Sequence, residues 1–518
     1  MEKVATDIYS FQNLRKSGYT YVDKTAMLLP LANDSIGRQF FLARPRRFGK
    51  SLLISTLHCL FEGRRELFKG LAIEPMWDWS KSWTVLHLDM GSCQSETIEG
   101  LKGKVRTMLQ AEAERLGAAL RDPDPSNAFR LLIDDLAAKS PSKDGQIVLL
   151  VDEYDKPLLG HLSKPDVTQF RDFLKEFYSV IKTQEARQRF TFITGVSKFS
   201  KVSIFSDLNN LKDMTMTELT ATLLGYTHDE LKRFFPESLK KIAAANGLTP
   251  EGAFEKVITW YDGYKFHPNA GKVINPVSFG MCAMEGEFQN YWSTTAMTTF
   301  LTDALRKHPL DFSTIDIDQA ALEAYEPENP RLVTLLYQTG YLTIRSFHQL
   351  GLMRTFDLCI PNLEVENSFL TQLAPVYAGL DETVSVNYQI TAARALHAGD
   401  VEKFVKTLKN FFANIPYSLT DRQNEQMWQT IVYVILKSVG FGVNAEVLTN
   451  EGRIDMTCET AAGIWLIEFK LDRPAEEALA QIDERNYAEK YDFAGKTVRK
   501  LGISFSSEQR TIVDVKQG

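Results

Sequence analysis

Residues 40–51 read Phe40-Phe41-Leu42-Ala43-Arg44-Pro45-Arg46-Arg47-Phe48-Gly49-Lys50-Ser51. A short apolar run leads into a basic loop, then into a stretch with Leu53, Leu57 and Leu60 on one helical face. Strand, loop and helix with Gly-Lys-Ser at the helix start form a phosphate-binding arrangement. Backbone N–H groups at the helix start meet phosphate oxygens, Lys50 reaches the outer phosphates, and the Ser51 hydroxyl holds Mg²⁺. The general pattern, GxxxxGK[ST], begins with a glycine that permits a tight turn. Arg44 stands at that position, so Gly49, Lys50 and Ser51 match while the first glycine does not. A bare Gly-Lys-Ser also occurs in ordinary surface loops, and more is needed.

The next piece is Ile147-Val148-Leu149-Leu150-Val151, an apolar run that ends in Asp152-Glu153. Acids at the end of a buried strand are the second half of a nucleotide machine. Asp152 would hold Mg²⁺ through water, and Glu153 would orient or deprotonate the attacking water. A third run, Phe190–Thr194, ends in Thr194-Gly195-Val196-Ser197, where the Thr194 hydroxyl would sense the γ-phosphate. The glutamate beside the strand-end aspartate points to ATPases that carry an extra strand between the two motifs; that strand would be Phe190–Thr194. With Val85–Asp89 and the helical stretches Leu52–Phe61 and Phe170–Lys182, the pattern predicts an α/β parallel sheet with helices on both faces. Arg46 and Arg47 are expected at the nucleotide. Together with Arg44 they exceed the need of one triphosphate. They would neutralise its charge, act on a neighbouring subunit's nucleotide, or touch a nucleic-acid backbone.

Composition bounds the classes. The chain has 518 residues and a net charge of −7, with 44% hydrophobic and 24% charged residues. A globally basic nucleic-acid coat and a disordered acidic tail are both excluded. The charge is uneven: residues 38–70 hold eight basic and two acidic side chains, a local +6. Five scattered cysteines without a CxxC argue against a disulfide framework or zinc knuckle and fit a reducing compartment. No apolar run approaches the roughly 18 residues of a membrane helix, and residues 1–11 lack a signal-peptide core. The expectation is a cytoplasmic protein without membrane contact. The texture changes near 230 and again near 390. Expected domains are a P-loop ATPase over 1–230, a mainly helical lid or connecting region over 231–390, and a further α/β unit over 391–518.

In that last unit, Gly452-Arg453-Ile454-Asp455 is followed by Glu468-Phe469-Lys470, with Thr460-Ala461-Ala462-Gly463 between them. A two-residue turn at Ala461-Ala462 opposes residues whose numbers sum to 923. Asp455 then faces Glu468, Met456 faces Ile467, and Cys458 faces Trp465. One face is wholly apolar (Ile454, Met456, Cys458, Trp465, Ile467, Phe469), and the other carries Asp455, Glu468 and Lys470. A slip of one residue would spoil both faces. Ala-Ala is poor two-residue turn chemistry, so a longer loop with the same faces is equally acceptable. Opposed carboxylates repel, and a divalent cation relieves the repulsion; oxygen ligands suit Mg²⁺ or Mn²⁺. Lys470 would stabilise the phosphate in the transition state or activate the attacking water. The bland alternative is a cross-strand acid–lysine pair on a solvated face. Upstream, Glu425 opens a helix and would lend a further acid, unless it is only an exposed first-turn glutamate. Downstream, Gln481 lies on another helix.

Several motifs carry a family resemblance. They are Tyr21-Val22-Asp23-Lys24-Thr25, Arg44–Ser51, Val151-Asp152-Glu153-Tyr154-Asp155-Lys156-Pro157, Thr194–Ser200, Asn209-Asn210-Leu211 and Trp260-Tyr261-Asp262-Gly263-Tyr264. Together they resemble the bacterial AAA-ATPase-like family with a C-terminal PD-(D/E)xK nuclease-like domain. Arg at the first phosphate-loop position is part of that family's pattern. The resemblance implies a C-terminal restriction-endonuclease-like fold, catalytic positions at Asp455, Glu468 and Lys470, and supporting ones at Glu425 and Gln481. The expected function is an ATPase that uses ATP and Mg²⁺, joined to a metal-dependent nuclease acting on DNA ahead of RNA. A homo-oligomer and a setting in bacterial defence or mobile-element biology fit that joining. The alternative is a nucleotide-switched module that grips nucleic acid or protein without cutting. A protein-remodelling ATPase would need a pore-loop signal, and none is present.

Overall fold

The computed structural model describes the chain apart from residues 1, 143, 200–203, 205–209, 293–314, 324, 379, 416–424, 449–452, 490 and 492–495. The chain divides into two compact units, residues 1–291 with 316–362, and residues 292–315 with 363–518.

The first unit is built on five strands: β1 (Gln39–Ala43), β2 (Thr84–Asp89), β3 (Ile147–Asp152), β4 (Gln188–Gly195) and β5 (Lys212–Asp213). Their order is β2-β3-β4-β1-β5, and every pairing is parallel. The strand ending in Thr194-Gly195 thus lies between the phosphate-loop strand and the acidic strand, as the sequence predicts. Every residue of β1 and β3 is buried, so both faces of the sheet are covered. This is what continuous rather than alternating apolar runs require. Parallel order forces long crossovers, supplied by helices such as Lys50–Phe61 and Val167–Thr183.

Helices follow the sheet over His228–Phe234, Pro236–Asn246, Pro250–Tyr261 and Pro276–Glu285. Their starts are written in the sequence. Proline opens three of them, and Thr227, Thr249 and Asn275 cap backbone N–H groups. Their apolar sides share one cluster that includes Leu231, Ile242, Val257, Phe279 and Val22. A small sheet comes next: β6 (Ile315–Asp318), β7 (Thr343–Leu350) and β8 (Met353–Cys359), ordered β6-β8-β7. Of the stretch 231–390, residues 231–291 and 316–362 belong to the first unit and 363–390 to the second.

The second unit has helices at Leu363–Ala378, Glu382–Ala398, Val401–Phe412, Glu425–Lys437 and Ala475–Glu484. Its strands are β9 (Gly442–Leu448), β10 (Arg453–Thr460), β11 (Gly463–Leu471), β12 (Val498–Ser506) and β13 (Thr511–Gln517), in the order β13-β12-β11-β10-β9. Only β11 and β12 pair in parallel, and the helix Ala475–Glu484 makes their crossover. Between β10 and β11, Met456 opposes Ile467, Cys458 opposes Trp465 and Thr460 opposes Gly463. That is the register that sums to 923. The reverse turn is the two residues Ala461-Ala462, and the strained angle falls on Gly463, at φ 130°. A Cβ there would lie 2.1 Å from the Thr497 carbonyl oxygen, so glycine is required. The apolar face is fully buried, with Trp428 and Phe469 both stacked on Phe505. The other face is not solvated: Leu466, Glu468 and Lys470 are buried too.

Candidate functional site

At the carboxyl end of the first sheet, the loop 44–49 leaves β1 and enters the helix Lys50–Phe61 through Gly49 at φ 91°. Lys50 is buried, and its ammonium donates to the carbonyls of Arg44 (2.9 Å) and Pro45 (3.0 Å). Burial lowers its pKa, opposed by the charges of Asp152, Asp155 and Glu153. Asp152, at the end of β3, is pushed up to about 6 by burial, against the pull of a hydrogen bond from Ser51 and the charge of Lys50. A cation, a hydroxyl and a carboxylate therefore meet at one helix start. This donor set fits a Mg²⁺–nucleotide pair: Ser51 and Asp152 for the metal, Lys50 for phosphate.

Glu153 has φ 50° and lies 3.7 Å from the Lys156 ammonium. A Cβ on Gly91 would come within 2.7 Å of the Glu153 carboxylate, so that glycine makes room for it. Asp155 locks the next turn: its carboxylate accepts the N–H groups of Val196 (3.1 Å) and Ser197 (2.6 Å), joining the ends of β3 and β4.

The arginines do three different things. Arg44 is 1% exposed and donates to the carbonyls of Ala43, Thr215 and Thr220 at 2.8, 2.8 and 2.9 Å. Its guanidinium stands 4.2 Å from the centre of the Phe266 ring. It braces the loop from behind, which corrects the expectation that it faces nucleotide or nucleic acid. Arg47, at φ 66°, donates to the Tyr291 carbonyl. Arg46 is half-buried and lies near enough to Lys50 and Tyr341 to affect their titration.

In the second unit, the β10–β11 ladder opens at Asp455 and Glu468, and the side chains take over. The Asp455 N–H donates to Glu468 Oε2 at 3.3 Å, and the Phe469 N–H donates to Asp455 Oδ2 at 2.9 Å. Each carboxylate is thus fixed by the opposite strand's backbone. Lys470 Nζ lies 3.4 Å from Glu468 Oε1 and donates to the Phe469 carbonyl at 3.0 Å. Gln481, from the crossover helix, donates to Glu468 Oε1. Glu468 is 1% exposed. Burial, then the charge of Asp455, push its carboxyl up to about 7, opposed by Lys470. A buried and a half-buried carboxylate beside one ammonium suit a divalent cation. Among the described residues no group of three or more His, Cys, Asp and Glu side chains gathers at one point. A metal between Asp455 and Glu468 would therefore fill its shell with backbone carbonyl and water oxygens.

Comparison with known proteins decides the affiliation. The family described as "Predicted AAA-ATPase" matches residues 5–205, and the PD-(D/E)XK nuclease superfamily matches residues 423–515. A protein of Azotobacter chroococcum mcd 1, described as "Uncharacterized protein in vnfD 5'region", is 35% identical over 525 positions, covering 99% of this chain and 98% of its own. The chain belongs to the AAA-ATPase-like family, with a PD-(D/E)XK nuclease-superfamily domain at its C-terminal end.

In this AAA-ATPase-like chain, Gly49, Lys50, Ser51, Asp152 and Glu153 gather at one sheet end, and Asp455, Glu468, Lys470 and Gln481 at one hairpin. Thr194 does not join the first set: it is buried, and its hydroxyl donates to the Leu42 carbonyl at 2.7 Å. Glu425 begins the helix Glu425–Lys437, and its side chain lies outside the described residues. Sequence reasoning missed Asp89. It ends β2 directly opposite Asp152 and adds to the repulsion that raises Asp152. Its signal was present, since Val85–Asp89 is an apolar run with a terminal acid. A cleft of about 740 Å³ in the second unit lies at the turn end of the hairpin, lined by His397, Phe441 and Lys496 among others, away from Asp455 and Glu468. Among the described residues no helix is long and apolar enough to cross a membrane.

Proposed function

We propose that the chain binds and hydrolyses ATP with Mg²⁺ at the phosphate loop and cleaves phosphodiester bonds of nucleic acid, DNA ahead of RNA, at the β10–β11 hairpin. The observation that carries the second half is the cross-strand clasp of Asp455 and Glu468, with Lys470 and Gln481 both on Glu468. A pure binding surface has no use for a buried glutamate held against a second, repelling carboxylate. In the nuclease site, Asp455 and Glu468 hold Mg²⁺ or Mn²⁺, and the metal supplies Lewis acidity and a nucleophilic water. Lys470 places its positive charge at the phosphate, where negative charge grows in the transition state. Gln481 keeps Glu468 Oε1 oriented, with Glu425 as a further supporting acid.

In the ATPase site, Lys50 exchanges the Arg44 and Pro45 carbonyls for phosphate oxygens. Ser51 and Asp152 hold the metal, Gly49 lets backbone N–H groups approach, and Glu153 orients the attacking water. Arg46, Arg47 and Thr194 remain proposed nucleotide contacts from the sequence pattern; for Thr194 that contact requires its hydroxyl to leave Leu42. A chain that joins ATP use to phosphodiester cleavage suits a role against foreign or mobile DNA inside a bacterial cell.

The test is incubation of the purified chain with Mg²⁺, ATP and labelled DNA or RNA. Lys470→Ala is expected to lower cleavage at least about 100-fold with ATP turnover intact. Lys50→Ala is expected to remove ATP turnover. Cleavage equal in Lys470→Ala and parent would sink the nuclease assignment. Hydrolysis unchanged in Lys50→Ala would sink the other. A second reading, a nucleotide-switched binding module without cleavage, is favoured by one observation: the first position of the loop is a buried brace, Arg44, rather than a glycine.

A further inference from the structure

The stretch Trp260-Tyr261-Asp262-Gly263-Tyr264 belongs to neither site, yet it is almost wholly buried. On one side it meets the nucleotide loop. Phe48 stands edge-on to Tyr264, with ring centres 4.8 Å apart, and to Phe266 at 5.4 Å. On the other side it meets two segments of special position. The chain passes between its two units at 291/292, at 315/316 and at 362/363. The Tyr261 hydroxyl donates to the Gln289 carbonyl at 3.1 Å and accepts the Gln289 N–H at 3.1 Å. Its ring lies parallel to that of Phe288, with an interplanar angle of 8°. The Asp262 carbonyl accepts the side-chain amide of Asn362 at 2.8 Å. Gly263, at φ 118°, lies so close to Pro361 that a Cβ would come 2.0 Å from its carbonyl oxygen. Arg47 of the nucleotide loop reaches the first passage directly, through the Tyr291 carbonyl.

We propose that residues 261–264 are a relay that ties the nucleotide loop to the passages at 291/292 and 362/363, so that nucleotide occupancy alters the chain as it enters the nuclease-bearing unit. The proposal rests on the nucleotide reading above and deepens it into regulation. The loop has two discrete arrangements to offer: Lys50 on the Arg44 and Pro45 carbonyls, as here, or Lys50 on phosphate. Phe48 and Arg47 sit in the same short loop and must follow its backbone. The buried aromatic contacts behind them are close-packed and transmit displacement rather than absorb it. Tyr261 and Asn362 act through other groups and are positioning residues. Neither touches nucleotide or the nuclease hairpin.

Hydrogen–deuterium exchange of the full chain with and without a non-hydrolysable ATP analogue tests this. In the parent, the analogue is expected to slow exchange over residues 44–52 and to change it over 286–291 and 359–364. Tyr261→Phe and Asn362→Ala are expected to bind the analogue within twofold of the parent and to keep the loop's protection. Their response at the passages is expected to shrink at least threefold. Protection of the loop with no change at the passages would overturn the relay and leave the nucleotide reading standing. So would a full response at the passages in both variants. No protection of the loop would overturn the nucleotide reading itself, and the relay with it. Tyr261→Phe removes only an oxygen from a buried ring, and Asn362→Ala is partly exposed, so failure of one variant to fold leaves the other as the test.

Discussion

The nucleotide loop is held by residues from far along the chain. Arg44 reaches Thr215, Thr220 and Phe266, Phe48 leans on Tyr264, and a Cβ on Gly340 would crowd Pro45 at 2.8 Å. The nuclease hairpin gathers Asp455, Glu468 and Lys470 within sixteen residues and takes Gln481 from the very next helix. The electrostatics differ as well. The largest influences on Asp152 after burial, Ser51 and Lys50, favour its ionised form. The next influence on Glu468 is Asp455, which opposes ionisation. Each site has a lysine of its own, Lys50 in the first and Lys470 in the second, and each lysine faces more than one carboxylate. Damage to the first should spread through the fold, and damage to the second should stay local.

The largest effect is expected at Glu468. If Glu468 holds the metal as proposed, Glu468→Gln, which keeps the shape but removes the charge, should lower phosphodiester cleavage at least about 100-fold. Its effect on stability should run the other way with pH. The carboxyl is raised from 4.5 to about 7 in the folded chain. Below pH 4.5 both folded and unfolded forms are protonated. Between 4.5 and 7 the unfolded chain releases the proton first, so the parent loses stability relative to Glu468→Gln as pH rises through that window, with no further change above it. Urea unfolding at pH 4.5, 6 and 8 without divalent cation reads this directly. A constant difference between the two proteins would refute the account.

Arg44→Ala should be next. It leaves three carbonyls without their donor and opens space over Phe266, a loss of about 3 kcal/mol by the cost of unpaired buried groups. Thermal unfolding of the first unit should show it. Arg46→Ala, half-exposed, should cost no more than about 0.5 kcal/mol. Equal shifts in the two variants would remove the distinction between brace and ligand. Gly463→Ala probes the hairpin in the same way. The added Cβ meets the Thr497 carbonyl, and φ 130° is unfavourable for alanine. A loss of about 2 kcal/mol is expected, with cleavage by the surviving folded protein within twofold. Neither Ala461 nor Ala462 has positive φ. Asn-Gly at those two positions should therefore gain little.

The same contrast explains what was legible in the sequence. The hairpin register could be counted, because a period of two and a fixed apolar face leave one solution. The insertion of β4 between β1 and β3 followed from the Asp-Glu pair. That the second hairpin face is buried could not be read, because its cover is the helix Ala475–Glu484, and strand alternation carries no information about such a lid. Arg44 was misplaced for a related reason. A guanidinium beside a phosphate loop reads as an anion ligand until Thr215, Thr220 and Phe266 are known to surround it, and those lie about 170 to 220 residues away. Asp89 was readable and was passed over, since its run resembled β3 but lacked the second acid.

Thr194 gives a small expected effect and the sharpest question about the first site. Its position after β4 suits a γ-phosphate sensor, but its hydroxyl is buried and donates to Leu42 across the β1–β4 pair. A hydroxyl has one proton to donate. If that proton stays on Leu42, Thr194→Val removes one buried hydrogen bond and leaves the nucleotide untouched. Stability should fall by about 1 kcal/mol, and ATP turnover should stay within twofold. If the hydroxyl swings to phosphate when nucleotide arrives, Thr194→Val should instead lower turnover at least tenfold with ATP affinity little changed, because a sensor acts on the γ-phosphate during reaction. Turnover and affinity measured on one variant separate the two cases. A tenfold loss would return Thr194 to the nucleotide-binding set.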